Sequence, residues 1–282
     1  MISVDKAFDL GPSITMDFLK NEFPQYYKQL DEIELQPVKI ILCSGLISRK
    51  DDTLEKILLV YSDRYVIIKS INKSIYKYII EYKDIDYILK EGVPYPGSIV
   101  IEYKSDARER IFYDEKSSEV IDLLLLELRK NIAGLAKINY ETDPGLSFSD
   151  MEEKKYPGAA IVRNALLNPS YAVCSLFQKK LNNRFGLLFR KTLTETHFTV
   201  VCKGEVIIFR EKGRKMNGSG IWGDLLHIPL GAVRNVSIEA TGEGMILRYL
   251  FNSNRKLEIF YENERTDQLL KIMSYINGLI SK

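Results

Sequence analysis

The stretch RERIFYDEKSSEVIDLLLLELRKNI (residues 108–132) is answered by RKLEIFYENERTDQLLKIMSYINGLI (residues 255–280). Each runs from a short β-branched and aromatic segment into an apolar stripe at helical spacing. Upstream, IEYKDIDYI begins at Ile80 and IPLGAVRNV begins at Ile228. Both ends of the match give one separation, 148 residues (228 − 80 and 280 − 132). At that separation Ile85 meets Val233, Phe112 meets Phe260 and Tyr113 meets Tyr261. Ile121, Leu124, Leu125, Leu128 and Ile132 meet Leu269, Ile272, Met273, Ile276 and Ile280. An internal repeat sets the domain count before any single residue is weighed.

Working outward, each half reads as short strands closed by one helix. In the first half the strands are VKIILCSGLIS (38–48), KILLVY (56–61), RYVIIK (64–69), IYKYIIEY (75–82), IDYIL (85–89), GSIVIEY (97–103) and RERIFY (108–113). Ser62–Asp63 and Lys104–Ala107 are hairpin turns, and a helix follows from about 116 to 132. The second half repeats the order: FGLLFRKTL (185–193), HFTVVC (197–202), EVIIFRE (205–211), LLHI (225–228), VRNVSIEA (233–240), MILRYLF (245–251), KLEIFY (256–261), then a helix over 265–280. Val66 pairs with Val206 at a separation of 140, so the second half carries about eight extra residues within EKGRKMNGSGIWG (211–223).

Between the halves, Asp143–Pro144–Gly145 and Pro157–Gly158 are turn signals. Ser149 and Glu152 stand at capping-box spacing, and residues 159–181 read as a helix interrupted at Pro169. A second proline-broken helix is expected in the leader, over 13–33. The expected organisation is a helical leader (1–37), a first domain (38–138), a linker with a helical segment (139–183) and a second domain (184–282).

Seven short strands followed by one amphipathic helix resembles the pleckstrin-homology (PH) superfold, over about residues 38–132 and 184–281. The hairpins KILLVYSDRYVIIK and HFTVVCKGEVIIFR, the corners IEYKDI and IPLGAV, and the last strands RERIFYDE and RKLEIFYE carry the resemblance. The second corner is similar to the I-P-L-x-x-I/V corner of small bacterial PH-like and GRAM-like domains. The resemblance implies an α+β, mainly β fold: two barrels, each of seven antiparallel strands capped by a C-terminal helix. It also implies a non-catalytic binding role, for a phosphoinositide headgroup or for a protein or peptide. The lipid-binding members carry K-x(n)-R-x-R between their first two strands. Here Arg49 and Lys50 are followed at once by Asp51 and Asp52, and Arg190 and Lys191 stand alone, so phosphoinositide specificity does not carry over.

Composition sets the outer limits. Apolar residues make up 45% of the 282 and charged residues 28%, enough for each half to bury a core. No apolar run approaches the roughly 20 residues that cross a bilayer, and the first residues do not read as a signal peptide. Three widely spaced cysteines, Cys43, Cys174 and Cys202, argue for reduced thiols in a cytoplasmic setting. The net charge of +2 is uneven. Residues 1–145 hold 20 basic and 25 acidic residues (−5), which leaves 20 basic and 13 acidic residues (+7) for the remainder. The second half therefore faces an anionic partner, or the halves attract one another.

The sharpest local candidate is FREKGRKMNGSGIW. Arg210, Lys212, Arg214 and Lys215 stand there against Glu211 alone, and the loop ends at Trp222, the single tryptophan. Basic residues near an anionic membrane add about 1 kcal/mol each, and an indole suits the interface. With Arg190 and Lys191 these residues form the expected anion- or membrane-surface site; the competing reading is a solvated hairpin with Trp222 packed inward. Enzyme readings are weak. The chain has two histidines, His197 and His227, both on strands, no histidine at ligand spacing from a cysteine, and no nucleophile elbow or phosphate loop. No cofactor or metal is expected. The expected function is a tandem adaptor, recruited to an anionic membrane through its second half. The alternative is a protein–protein scaffold that presents strand edges or a helix groove to a peptide. Binding to a nucleic-acid backbone is a remote third.

Overall fold

The computed structural model describes residues 14–43, 56–71, 74–93, 97–104, 107–113, 118–135, 156, 158–167, 172–185, 189–212 and 222–281. The fold is mainly β with a few helices, an α+β arrangement. The leader forms two short helices, α1 (Met16–Glu22) and α2 (Pro24–Tyr27). Thr15 caps the first, and Pro24 opens the second at a position where its missing N–H costs nothing. Leu19 and Tyr26 anchor them against Ile40, Leu59 and Val66.

In the first half, β1 (Lys39–Cys43), β2 (Lys56–Val60), β3 (Arg64–Ile71) and β4 (Ser74–Glu81) form an antiparallel sheet in chain order. A 3₁₀ turn, Tyr82–Asp84, leads to β5 (Ile85–Val93), β6 (Gly97–Tyr103) and β7 (Ala107–Tyr113), and then to α3 (Ser118–Leu135). In the second half, α4 (Gly158–Ala165) precedes β8 (Ala172–Gln178), a hairpin of β9 (Leu181–Phe185) and β10 (Phe189–Thr194), β11 (His197–Cys202), β12 (Glu205–Glu211) and β13 (Gly223–Pro229). A 3₁₀ turn, Leu230–Ala232, then leads to β14 (Val233–Ala240), β15 (Met245–Phe251), β16 (Lys256–Tyr261) and α5 (Thr266–Ile280).

The separation of 148 carries over to three dimensions. It matches the 3₁₀ turns, matches β6 with β15 end for end, and matches the Ile88–Ile101 pair of β5 and β6 with the Val236–Tyr249 pair of β14 and β15. The apolar stripes of α3 and α5 do the same work in each half. Ile121, Leu124 and Leu128 close the first core, and Leu269, Ile272 and Ile276 close the second. The stripe is one-sided on α5 because burial there is against a single sheet.

Two expectations are corrected. Ala172–Gln178 is a strand rather than part of a helix, and the helix before it spans only Gly158–Ala165. Proline cannot continue a helix interior, and the β-branched and aromatic residues after Pro169 suit a strand that adds to β11. It is β8, not the stretch 185–193, that fills the first-strand place of the second half; Phe185 and Phe189–Leu193 belong to the inserted β9–β10 hairpin.

The second correction concerns closure. The sheets are open, not closed barrels. Among the described residues no strand of β1–β4 pairs with β5–β7, and none of β14–β16 pairs with the rest of the second half. Instead β5 pairs antiparallel with β13, with Ile88 opposite His227 and Leu89 opposite Leu226. That joint fuses three strands of one half and four of the other into a single seven-stranded sheet, β7-β6-β5-β13-β12-β11-β8. The outer edge of β5 is occupied by the other half, so it is not available for closure within its own. Every residue of β13 is buried as a result.

Candidate functional site

The joint between the halves creates a cleft of about 600 Å³. Its floor is the paired strands β5 and β13, which contribute Lys90, Val93, Leu225 and His227. One wall is α3, through Leu123, Leu126 and Arg129; the other is α4, through Ile161, Asn164 and Ala165. The wall of α3 comes from leucines that lie off its core stripe. Leu123 is 47% exposed while its neighbour Leu124 is fully buried. In the run LLLL (123–126) a helix meets apolar surroundings on two sides, a pattern that a single-stripe reading passes over.

The two cations in the cleft, Arg129 and Lys90, are already matched. Arg129 donates from Nε to Glu205 Oε2 (3.0 Å) and from Nη2 to Glu205 Oε1 (2.5 Å), a bidentate pair that crosses from α3 to β12. Lys90 Nζ donates to Asp122 Oδ1 and also lies 5.8 Å from the Tyr113 ring centre. Burial works to raise the pKa of Glu205, but Arg129 and His227 together outweigh it and hold the carboxyl at about 2. His227 is 1% exposed, and neither ring nitrogen has a hydrogen-bond partner among the described residues. Its Nδ1 stands 3.6 Å from Glu205 Oε2, too far for a hydrogen bond. Burial, reinforced by Arg129, lowers its pKa to about 4, so the ring is neutral at pH 7. The cleft therefore offers apolar walls, a buried neutral imidazole, two ion pairs and the Glu119 carboxylate.

Further contacts make the joint rigid. Arg255, in the turn before β16, reaches Glu102 and lies 3.3 Å from Asp86, while Ser253 Oγ donates to Asp86 Oδ2 (2.8 Å). Tyr87 packs on Phe251 with ring centres 5.7 Å apart. The Gly92 N–H reaches Asp224 Oδ1 at 3.3 Å, and Gly92 adopts φ 74, a left-handed conformation that costs glycine little.

The described ones among the basic residues singled out in the sequence lie outside the lining of this cleft. Lys212 follows β12 and pairs with Asp224 at 2.6 Å, its ammonium 5.5 Å from the Trp222 ring centre. Trp222 is half-buried and its carbonyl accepts from the Lys212 backbone N–H (2.9 Å), so both belong to the strand ends rather than to an open loop. Arg210 is half-buried in β12, opposite His197 and Asp224. Arg214 and Lys215 lie outside the described residues. Arg190 and Lys191 stand in β10, opposite Arg184 and Asn183 of β9. In the first half Lys56 and Lys69 are also matched: both donate to Glu109, which is 4% exposed.

His197 is 1% exposed; its Nδ1 donates to the Glu195 carbonyl at 3.0 Å, and its ring meets Tyr261 edge-on. Burial lowers its pKa to about 4. Cys174 and Cys202 are free thiols, and burial raises the pKa of both. Among the described residues no group of histidine, cysteine, aspartate and glutamate could hold a metal ion, and no helix is long and apolar enough to cross a membrane. No family model matches the sequence, and no curated protein matches it.

Proposed function

We propose that this chain is a non-catalytic tandem binding module built from two PH-like units, and that its ligand is a segment of a partner protein lying in the cleft on the joint. The PH-like reading is supported by the order four strands, 3₁₀ turn, three strands and helix, which the second half repeats with the β9–β10 hairpin inserted after its first strand and at a separation of 148 from the 3₁₀ turn onward. The binding reading is carried by one observation: leucine and isoleucine side chains line both walls of the cleft while each of its buried cations already faces a carboxylate. Such a lining favours apolar side chains and disfavours an anionic headgroup, which would have to displace Glu205 or Asp122. The binding surface lies on a fused sheet, so little ordering entropy is lost when a ligand docks.

A second reading, attachment to an anionic membrane surface, is favoured by the β9–β10 hairpin. It forms a two-stranded sheet of its own, and Arg184, Arg190 and Lys191 fall in its strands. The two readings separate cleanly. Peptides selected from a random library on the immobilised chain should lose at least tenfold in affinity on Leu126→Lys and be indifferent to Arg190→Ser/Lys191→Ser. Selected peptides that bind Leu126→Lys as tightly as the parent chain overturn the cleft reading. Salt-sensitive sedimentation with phosphatidylserine vesicles, abolished by the Arg190→Ser/Lys191→Ser pair, would establish the membrane reading in its place.

A further inference from the structure

The internal joint uses one edge from each half: β5, the strand after the 3₁₀ turn in the first half, and β13, the strand before that turn in the second. The same two edges exist once more, unjoined. β4 is the first-half equivalent of β13, and β14 is the second-half equivalent of β5. Among the described residues β4 pairs only with β3, and β14 only with β15. An edge of one kind at one end of a molecule and its complement at the other is a heterologous arrangement, and repeated use of it builds an open array.

The open β4 edge is apolar where β13 is buried. Tyr76 is 45% exposed and Ile79 is 47% exposed; their equivalents in β13, Asp224 and His227, are 4% and 1% exposed. On the facing side, α5 exposes Leu270 (44%) at the place where α3 carries Asp122. The joint between copies would thus bring apolar side chains together where the internal joint has ion pairs.

One residue stands in the way. Asn277 Nδ2 donates to the Val236 carbonyl at 2.8 Å, and the Val236 N–H donates to Asn277 Oδ1 at 2.9 Å. Val236 is the equivalent of Ile88, which lies directly opposite His227 in the internal joint. The amide side chain therefore occupies the backbone groups that a further strand would need. At the matching position α3 carries Arg129, which reaches outward to Glu205 of the other half. The same helix position grips the next repeat in one half and seals the edge in the other.

We propose that Asn277 is the stop that holds this array at two repeats, and that the strand it keeps off β14 is β4 of a second copy of this chain. In the joint so prevented, Val236 would lie opposite Ile79 as Ile88 lies opposite His227.

Analytical ultracentrifugation tests this directly. Asn277→Ala should give a mass that rises with concentration, at least doubling, while the parent chain stays at one mass. Adding Ile79→Lys should return it to that mass. The doubly changed chain mixed with the parent should form a one-to-one pair and nothing larger, because only one open β14 and one open β4 then remain. An Asn277→Ala chain that keeps its circular dichroism and stays at the parent mass overturns the proposal, as does association that survives Ile79→Lys. Should Asn277→Ala fail to fold, hydrogen exchange on the parent decides. The Val236 amide should exchange at least tenfold more slowly than the Ile238 amide on the same edge, and equal rates overturn the assignment.

Discussion

The Arg129 guanidinium grips both carboxylate oxygens of Glu205 across the joint between the two halves, at 3.0 and 2.5 Å, with both side chains buried. Removal of one partner leaves the other charge desolvated and unpaired, which is costlier than loss of both. Arg129→Ala should destabilise the chain by about 3–5 kcal/mol in urea unfolding, and Arg129→Met with Glu205→Leu by clearly less. Equal losses from the single and double changes would show that the pair adds no coupling.

Acid should unfold the protein in two stages. His197 and His227 titrate near 4 when folded and near 6.5 when unfolded, so unfolding takes up protons between those values. Their contribution is present above pH 6.5 and is lost as pH falls toward 4, with a slope of about 1.4 kcal/mol per pH unit for each histidine. Glu205, at about 2 when folded and 4.5 when unfolded, adds a second loss as pH falls from 4.5 toward 2. His197→Phe should flatten the upper limb of a stability–pH curve; an unchanged slope between pH 6 and 5 would contradict it.

The two cores should not melt separately. Leu124 and Ile272 are equivalent and both fully buried, and each large-to-small change should cost about 2–5 kcal/mol. Because β5 and β13 share one sheet, Leu124→Ala and Ile272→Ala should each lower a single calorimetric transition rather than one of two. Two resolved transitions in either variant would mean that the joint does not couple the halves.

Gly223 opens β13 where the chain passes close under β12. A Cβ placed there would lie 2.2 Å from the Arg210 carbonyl oxygen and 2.6 Å from the Phe209 ring. Backbone cannot yield as a side chain can, so Gly223→Ala should destabilise by more than the 0.4–1 kcal/mol that such a change commonly gains at an unstrained site. A gain in melting temperature for Gly223→Ala would refute the close approach.

Much of the local structure was legible along the chain. The hairpins KILLVYSDRYVIIK and HFTVVCKGEVIIFR, the strand Gly97–Tyr103 and both closing helices follow from short-range periodicity and turn residues, which act between near neighbours. The strand at Ala172–Gln178 was not, because VCSLF has apolar residues that fit either period and only the free edge of β11 favours the extended form. One of the basic candidates, Lys212, shows a related limit of local reading. Lys212 reads as a free cation in a glycine-rich stretch, yet Asp224, a dozen residues on, is folded back beside it. The cleft had one faint mark in the sequence, the two leucines of α3 that do not belong to its core stripe, Leu123 and Leu126.

By itself the sequence determined most of the strands, both closing helices and that the pattern occurs twice, because side-chain period and turn chemistry are local properties of the chain. Only the tertiary structure decided that the halves fuse through β5 and β13, that a cleft forms over that joint, and that Asn277 closes the equivalent edge of β14. The physical reason is that an unpaired strand edge presents N–H and C=O groups common to every residue except proline. Which edge fills which is settled by packing across the whole molecule, and leaves no signature in the letters of either strand.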